Sequence, residues 1–269
     1  MGNFYVHYTQ LNVINKILQK DGIRFLASRF NSMNDPFDCK FATDIVLPEA
    51  ISVVKERYGK DVDDIPLFPY VISFSKKKDD FNMWRLYNSD VSLVFNFNVQ
   101  DDFEKIADQN IEWHGDCEYL NRNEVRAYVI KEFEKVKENL LFDENSILDM
   151  IRLICFKIKE RSYENEGERR LISCDAFTAK AKYNPASADK CDIIDCEIPV
   201  DVGVRSIQDG RIKFYKEINL KKSYLQEIIL KTYDKKTFDQ QKRDIELLLA
   251  NNNYEEIEIT QTQTYPCIQ

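Results

Sequence analysis

With 269 residues, 43% apolar and 12% aromatic, the chain can bury one large core or two small ones, and only 7 glycines and 7 prolines leave little room for long flexible linkers. A formal net charge of −8 disfavours a generic polyanion binder, although a local basic groove would survive it. Seven cysteines (39, 117, 155, 174, 191, 196 and 267) form no C-x-x-C pair, and His7 and His114 are the only histidines. A zinc site therefore has few conventional ligands, and reduced thiols are the better reading.

Phe4 to Thr9 alternates aromatic and β-branched residues and predicts a short strand. Leu11, Ile14, Ile17 and Leu18 fall at helical spacing over 11–20, with Gly22 as the stop, and Ile23 to Leu26 predicts a second strand. Asn31 to Asp38 is turn chemistry, because Asn and Asp bond their own backbone and Pro36 disfavours a helical Asp35. A helix is expected over 48–58, then a strand Tyr70–Ser75, a solvated loop Lys76–Asp80, a short helix Asn82–Tyr87 and an apolar strand Val91–Phe97 buried on both faces. Two helices are expected over 121–159 and a strand over 166–172. Strands around 193–198 and 211–216, helices at 221–232 and 235–250, and an edge strand Ile257–Thr262 complete the expectation. Strands and helices mix without a βαβ rhythm, so the class is α+β. No run approaches the ~18 apolar residues of a membrane span. The first residues, Met1 to Tyr5, lack the charged and apolar regions of a signal peptide. A cytoplasmic protein without a membrane partner is expected.

The densest chemistry lies in Tyr163-Glu164-Asn165-Glu166-Gly167-Glu168-Arg169-Arg170. Glu164, Glu166, Glu168 and Arg170 recur at period two, which in a strand places all four on one face. Such a row of like charges repels itself, whereas a site that holds a carboxylate beside a cation has use for it. Met83-Trp84-x-x-Tyr87 puts two aromatic residues on one helix face. There is no Gly-rich phosphate loop, which argues against a P-loop or Rossmann site.

Three of these elements, His7-Tyr8-Thr9, Ser73-Phe74-Ser75 and Glu166-Gly167-Glu168, resemble in order and type the strands of the ADP-ribosyltransferase fold. A wider set is similar to the bacterial domain of unknown function 2971: Asn34-Asp35-Pro36-Phe37-Asp38, Ser73-Phe74-Ser75, Met83-Trp84-x-x-Tyr87 and Tyr163-Glu164-x-Glu166-x-Glu168-x-Arg170. A late helix carrying Glu227-Ile228-Ile229-Leu230 and a final strand extend that resemblance over nearly the whole chain. One departure is Ser92, where that family often has a glycine.

The resemblance implies an α+β, ADP-ribosyltransferase-like split β-sheet core with surrounding helices, as a single domain over 1–269 with a helical insertion at about 121–160. It implies NAD as co-substrate, in a cleft between two small sheets. Glu168 would be the catalytic carboxylate, Glu166 an assisting one, and His7 a partner of the ribose. His7, Tyr8, Thr9, Ser73, Ser75, Trp84, Tyr87 and Arg170 would line the cofactor site, with no metal. Cleaving the nicotinamide–ribose bond passes through an oxocarbenium-like state that a carboxylate stabilises. An aromatic face, Tyr87 or Trp84, would hold the cationic nicotinamide ring. The implied role is a bacterial toxin or phage-defence effector that modifies a macromolecular acceptor, protein or nucleic acid, under an antitoxin or regulatory protein. NAD hydrolysis, with water as acceptor, and a non-catalytic ligand- or nucleic-acid-binding module of the same fold are the alternatives. The Lys76–Lys78 run reads as a solvated loop or as a guide for a nucleic-acid acceptor.

Overall fold

The computed structural model describes residues 4–29, 36–62, 69–97, 111–136, 144–173, 202–206 and 212–264. The fold is α+β. In chain order the elements are β1 (Phe4–Thr9), α1 (Ile14–Ile17), β2 (Ile23–Arg29), α2 (Pro36–Phe41), α3 (Leu47–Tyr58), β3 (Tyr70–Ser75), α4 (Phe81–Leu86) and β4 (Val91–Asn96). There follow β5 (Ile111–Asp116), β6 (Glu118–Leu120), α5 (Arg122–Val136), α6 (Glu144–Lys157), β7 (Ile158–Glu160), β8 (Glu168–Ser173), β9 (Val202–Ser206) and β10 (Ile212–Leu220). The last are β11 (Leu225–Leu230), α7 (Lys235–Asn251) and β12 (Glu258–Gln261).

Ten strands join one mixed sheet, in the order β12-β11-β4-β1-β3-β2-β10-β9, with β8 added on β3 and β5 on β8; β6 and β7 form a separate parallel pair. The sheet forks at β3. One edge of β3 runs along all of β8, from Tyr70↔Ser173 to Ser75↔Glu168. The other edge is shared: β2 pairs at Ser28↔Val71 and Arg29↔Tyr70, whereas β1 pairs at Val6↔Ser75. Between those attachments the strands diverge at Ser73.

Strand alternation distributes β3 between two cores. Tyr70, Ile72 and Phe74 join Tyr5, Phe25, Phe95, Leu171 and Ile218 in one core, closed by Ile245 and Leu249 of α7. Val71 and Ile172 point the other way, into a helical core built from Phe41, Val46, Val53, Val129, Phe133, Ile151 and Ile154. The helices over 122–157 thus pack together with α2 and α3 onto the second face of β3 and β8 rather than forming a layer of their own. A smaller cluster of Val6, Tyr8, Met83, Trp84, Val94 and Ile229 lies under α4.

Most expected elements appear within a residue or two. β4 is buried on both faces from Val91 to Phe95. The segment 11–20 is a short 3₁₀ turn plus one helical turn, because Leu18 leaves the helix to bridge Ile23. The helix expected at 221–232 is a strand instead. Leu225, Ile228, Ile229 and Leu230 are buried on both faces of β11, and a β-branched run with no polar helical face suits an interior strand. Glu227-Ile228-Ile229-Leu230 is therefore not the helical feature that the resemblance implied. Pro36 opens α2, so the turn expected up to Asp38 has become helix by Pro36, while Asn31 to Asp35 and the strand expected at 193–198 lie outside the described residues.

Candidate functional site

The acidic row is not a strand row. Arg161–Glu166 forms a 3₁₀ turn, Gly167 takes a left-handed conformation at φ 53°, and β8 begins only at Glu168. Glycine adopts that backbone without the Cβ penalty other residues incur. Glu168 and Arg170 share a face as expected. Glu164 is exposed on the turn, and Glu166 reaches the same region by the turn rather than by strand alternation.

What gathers the charges is a residue that the spacing did not reveal. Lys159, on β7, places its Nζ 2.6 Å from Glu168 Oε2 and 2.8 Å from Glu166 Oε2. Its ammonium also lies over the Tyr163 ring, 4.8 Å from the centroid. Arg170 donates from Nε to Glu168 Oε1 at 2.8 Å and from Nη2 to Oε2 at 3.2 Å, a two-point grip. Its Nη1 donates to the Phe156 carbonyl at 2.9 Å, at the C-terminal turn of α6, where cations are favoured. Arg170 is fully buried and Glu168 2% exposed. Burial opposes ionisation of Glu168, but the charges of Arg170 and Lys159 outweigh it and hold the carboxyl well below the usual range.

The backbone is held too. Glu168 N–H donates to Tyr119 Oη at 2.6 Å, and Cys117 N–H to the Glu168 carbonyl at 3.0 Å. Ser75, opposite Glu168 in register, donates its hydroxyl to the Glu166 carbonyl at 2.8 Å and accepts from Lys77 N–H at 3.0 Å. Ser75 therefore braces the turn that carries Glu166. Ser73 lies opposite Arg170, and its hydroxyl is buried without a hydrogen-bond partner among the described residues.

Tyr87 caps α4 and is 42% exposed. Its ring stacks on Tyr8, with centroids 6.3 Å apart and planes 10° from parallel. Tyr8 lies on the sheet face that carries Glu168, so the stack sets Tyr87 on that face, where desolvation, then the charges of Glu168 and Glu166, push its phenol up. Tyr8 is 7% exposed and committed to the loop, its hydroxyl donating to the Lys77 carbonyl at 2.8 Å and accepting from Asp80 N–H at 3.0 Å.

Other expected residues are elsewhere. Trp84 is fully buried in the cluster beneath α4, its ring edge-on to Tyr8 at 5.0 Å, so it offers no face to a ligand. His7 is on the wrong side of the sheet. Register pairs Val6 with Ser75, which puts Val6 and Tyr8 on the Glu168 face and His7 on the opposite one. There it packs edge-on against Phe25 at 4.9 Å and Phe74 at 5.9 Å. Its Nδ1 lies 3.3 Å from the Ser73 carbonyl, within the fork. Burial lowers its pKa to about 4, although the Ser73 bond opposes the shift, so it is neutral at pH 7. Thr9 follows His7 onto that face, and its carbonyl accepts from Asp90 N–H at 3.1 Å.

The structure thus brings together Glu166, Glu168, Arg170, Ser75 and Tyr87, adds Lys159, Tyr119 and Tyr163, and leaves out His7, Thr9 and Trp84. The lysine run is not a free basic patch. Lys76 pairs with Asp116 at 2.9 Å, Lys77 approaches Asp80 at 3.9 Å, and Lys78 pairs with Glu227. A groove of about 690 Å³ between α7 and β12, lined by Leu249, Tyr254, Ile257, Glu246 and Glu258, shares none of the cluster's residues. Among the described residues no group of three or more His, Cys, Asp or Glu is placed to hold a metal, and no helix is long and apolar enough to cross a membrane.

No family model, curated protein or solved structure matches this chain. The resemblance therefore stands on the motifs alone. Two carboxylates on one ammonium, beside an exposed stacked tyrosine, can receive a small cationic or polar ligand at Glu166 and Tyr87. Glu168, sealed behind two cations, can bear on such a ligand only through them.

Proposed function

We propose that the chain is an NAD-dependent ADP-ribosyltransferase in which Glu166 is the carboxylate that meets the substrate and Glu168 positions it through Lys159. The observation that carries this reading is the shared ammonium. Lys159 holds Glu166, whose side chain is 12% exposed, and Glu168, 3% exposed, on the sheet face where Tyr87 stacks on Tyr8. Tyr87 stacks the nicotinamide. The bond between the nicotinamide nitrogen and ribose C1′ breaks, nicotinamide leaves with the electron pair, and Glu166 stabilises the cationic ribose. The acceptor attacks C1′ and gives its proton to Glu166. Such help amounts to about 10²–10⁴ in rate. The effector role, the macromolecular acceptor and the restraining partner protein are carried by the resemblance to the transferase fold, and the cytoplasmic location by the cysteine usage and the first residues of the sequence.

A second reading, a ligand-binding module without turnover, is favoured by a different observation: His7 and Glu168 lie on opposite faces, and Glu168 is saturated by Arg170 and Lys159. Purified protein incubated with NAD and cell extract, with nicotinamide release followed by chromatography, separates the two. Release that disappears in Glu166→Gln while the fold is retained supports the transferase. Free ADP-ribose as the sole product moves the assignment to a glycohydrolase. Saturable NAD binding with no release moves it to the module, and absence of both binding and release overturns the NAD reading.

A further inference from the structure

The loop Lys76–Asp80 between β3 and α4 runs from the carboxylate cluster to the C-terminal end of the described chain, and it is fastened on both sides. Toward the cluster, Lys76 N–H donates to the Gly167 carbonyl at 2.8 Å, next to the Ser75–Glu166 bond. Toward the C-terminus the fastening is Asp79. Its Oδ1 accepts from Trp84 Nε1 at 2.9 Å, from Thr264 Oγ1 at 3.1 Å and from the Thr262 hydroxyl. Its Oδ2 accepts Gln263 N–H at 2.8 Å. A single carboxylate therefore joins a loop, a helix and a segment more than 180 residues away in sequence. Asp79 does so from φ 52°, a backbone that aspartate and asparagine tolerate better than most residues. Burial opposes its ionisation, but these four donors outweigh it and hold the carboxyl below its usual range. Alongside, Glu227 accepts the Thr260 hydroxyl at 2.8 Å and pairs with Lys78, tying the same loop to β11 and β12.

Trp84 and Tyr87 share α4 and its cap, and Tyr87 stacks on Tyr8, which itself holds the loop through Lys77 and Asp80. We propose that Asp79 is a positioning residue through which the segment Thr262–Thr264 sets α4 and Tyr87 against Glu166, so that the site is competent only while that segment is docked. What the site then does rests on the NAD reading; the clamp itself does not.

Two variants attack the clamp from opposite ends. Asp79→Asn keeps a residue suited to the left-handed backbone, removes the charge and replaces one of the two acceptor oxygens by an NH2 donor that faces the donors of the clamp. Thr262→Val/Thr264→Val removes donors and leaves Asp79 untouched. Amide hydrogen exchange across the chain and NAD kinetics are the readouts. Both variants should speed exchange over 76–87 by about tenfold, the equivalent of one lost net hydrogen bond, without a matching rise in the β3–β8 core. Both should raise KM for NAD while kcat changes less, because placement of the stacking ring is what loosens. Exchange unchanged in the threonine variant, or raised uniformly over the whole chain, overturns the clamp. Loosened exchange with kcat/KM for NAD unchanged overturns its role in the site. Wild-type protein that shows the local exchange effect in its variants but never turns over NAD sinks the activity while upholding the clamp.

Discussion

His7 and Glu168 stand on opposite faces of the same sheet, two strands apart, with β3 between them. Any ligand held by Glu166, Tyr87 and the cations around Glu168 approaches from the face of the helical core and cannot reach His7 without crossing the sheet. His7 has its own task. The Ser73 carbonyl is freed where β1 and β2 diverge, and a buried carbonyl left without a donor is costly, so the imidazole fills the fork and approaches it at 3.3 Å.

That assignment predicts a pH signature. His7 titrates at about 4 in the fold against 6.5 when unfolded, and His114, lowered by burial and by the Arg169 charge, behaves alike. Above pH 6.5 both states are neutral and neither histidine changes stability. As pH falls from 6.5 to 4 the unfolded chain takes up protons that the folded chain refuses, so stability falls by up to about 1.4 kcal/mol per pH unit for each site. Glu168 enters later, losing its contribution from pH 4.5 downward toward its folded value of about 2. Urea denaturation between pH 7 and 5 should show a slope roughly halved in His7→Gln, which still offers the Ser73 carbonyl a donor. An unchanged slope would assign the pH dependence to other groups.

Glu168 makes the opposite kind of prediction. Removing one member of a buried, hydrogen-bonded charge pair leaves the others uncompensated, at a cost of about 3–5 kcal/mol. Glu168→Gln should therefore lower Tm by roughly 5–15 °C, because Arg170 and Lys159 lose their common partner. Glu166→Gln should cost less, about 1–2 kcal/mol, because Lys159 keeps Glu168 as its partner and the glutamine oxygen still accepts from it. Replacing Arg170 by Met along with Glu168→Gln should recover part of the loss, which a double-mutant cycle reads as coupling. Equal thermal shifts in the two glutamine variants would mean that Glu168 is no more central to the fold than Glu166.

The sequence and the structure agree where local pattern decides. β1, β3, β4, α3 and α7 follow from alternation, a double-sided apolar run, or helical periodicity opened by an N-cap such as Asp234, whose side chain accepts from Thr237 N–H at 2.8 Å. They part where a single residue overrides the pattern. Gly167 at φ 53° interrupts a period-two row that otherwise reads as strand, and glycine inside such a row is the one warning available. β11 looks like the end of a helical stretch because apolar runs are ambiguous in periodicity, and only its burial between β4 and β12 resolves it. Lys159 was invisible because it belongs to a three-residue strand paired in parallel with β6, and its meeting with Glu166 and Glu168 is a product of the turn at 161–167. Face assignment was equally hidden. That His7 and Ser75 sit on different sides depends on the Val6↔Ser75 register, which no motif spacing encodes.

The Met83-Trp84-x-x-Tyr87 motif divides its labour between its two aromatic residues. Trp84 is fully buried among Val6, Tyr8, Met83, Val94 and Ile229, and its indole N–H is committed to Asp79 at 2.9 Å. Trp84→Ala should cost about 3–5 kcal/mol, through the cavity left and the donor lost to Asp79. Tyr87, three residues on, keeps 42% of its surface exposed, and Tyr87→Ala should cost only about 1 kcal/mol through the lost Tyr8 stack. Yet Tyr87 is the one with a face for a ligand. Isothermal titration with NAD should show affinity falling roughly 5–30-fold in Tyr87→Ala and recovering in Tyr87→Phe, because ring stacking and cation–π attraction need no hydroxyl. Affinity lost equally in the phenylalanine variant would shift the contact from the ring to the phenol, which lies in the field of Glu168 and Glu166. Affinity kept in both would remove Tyr87 from the site.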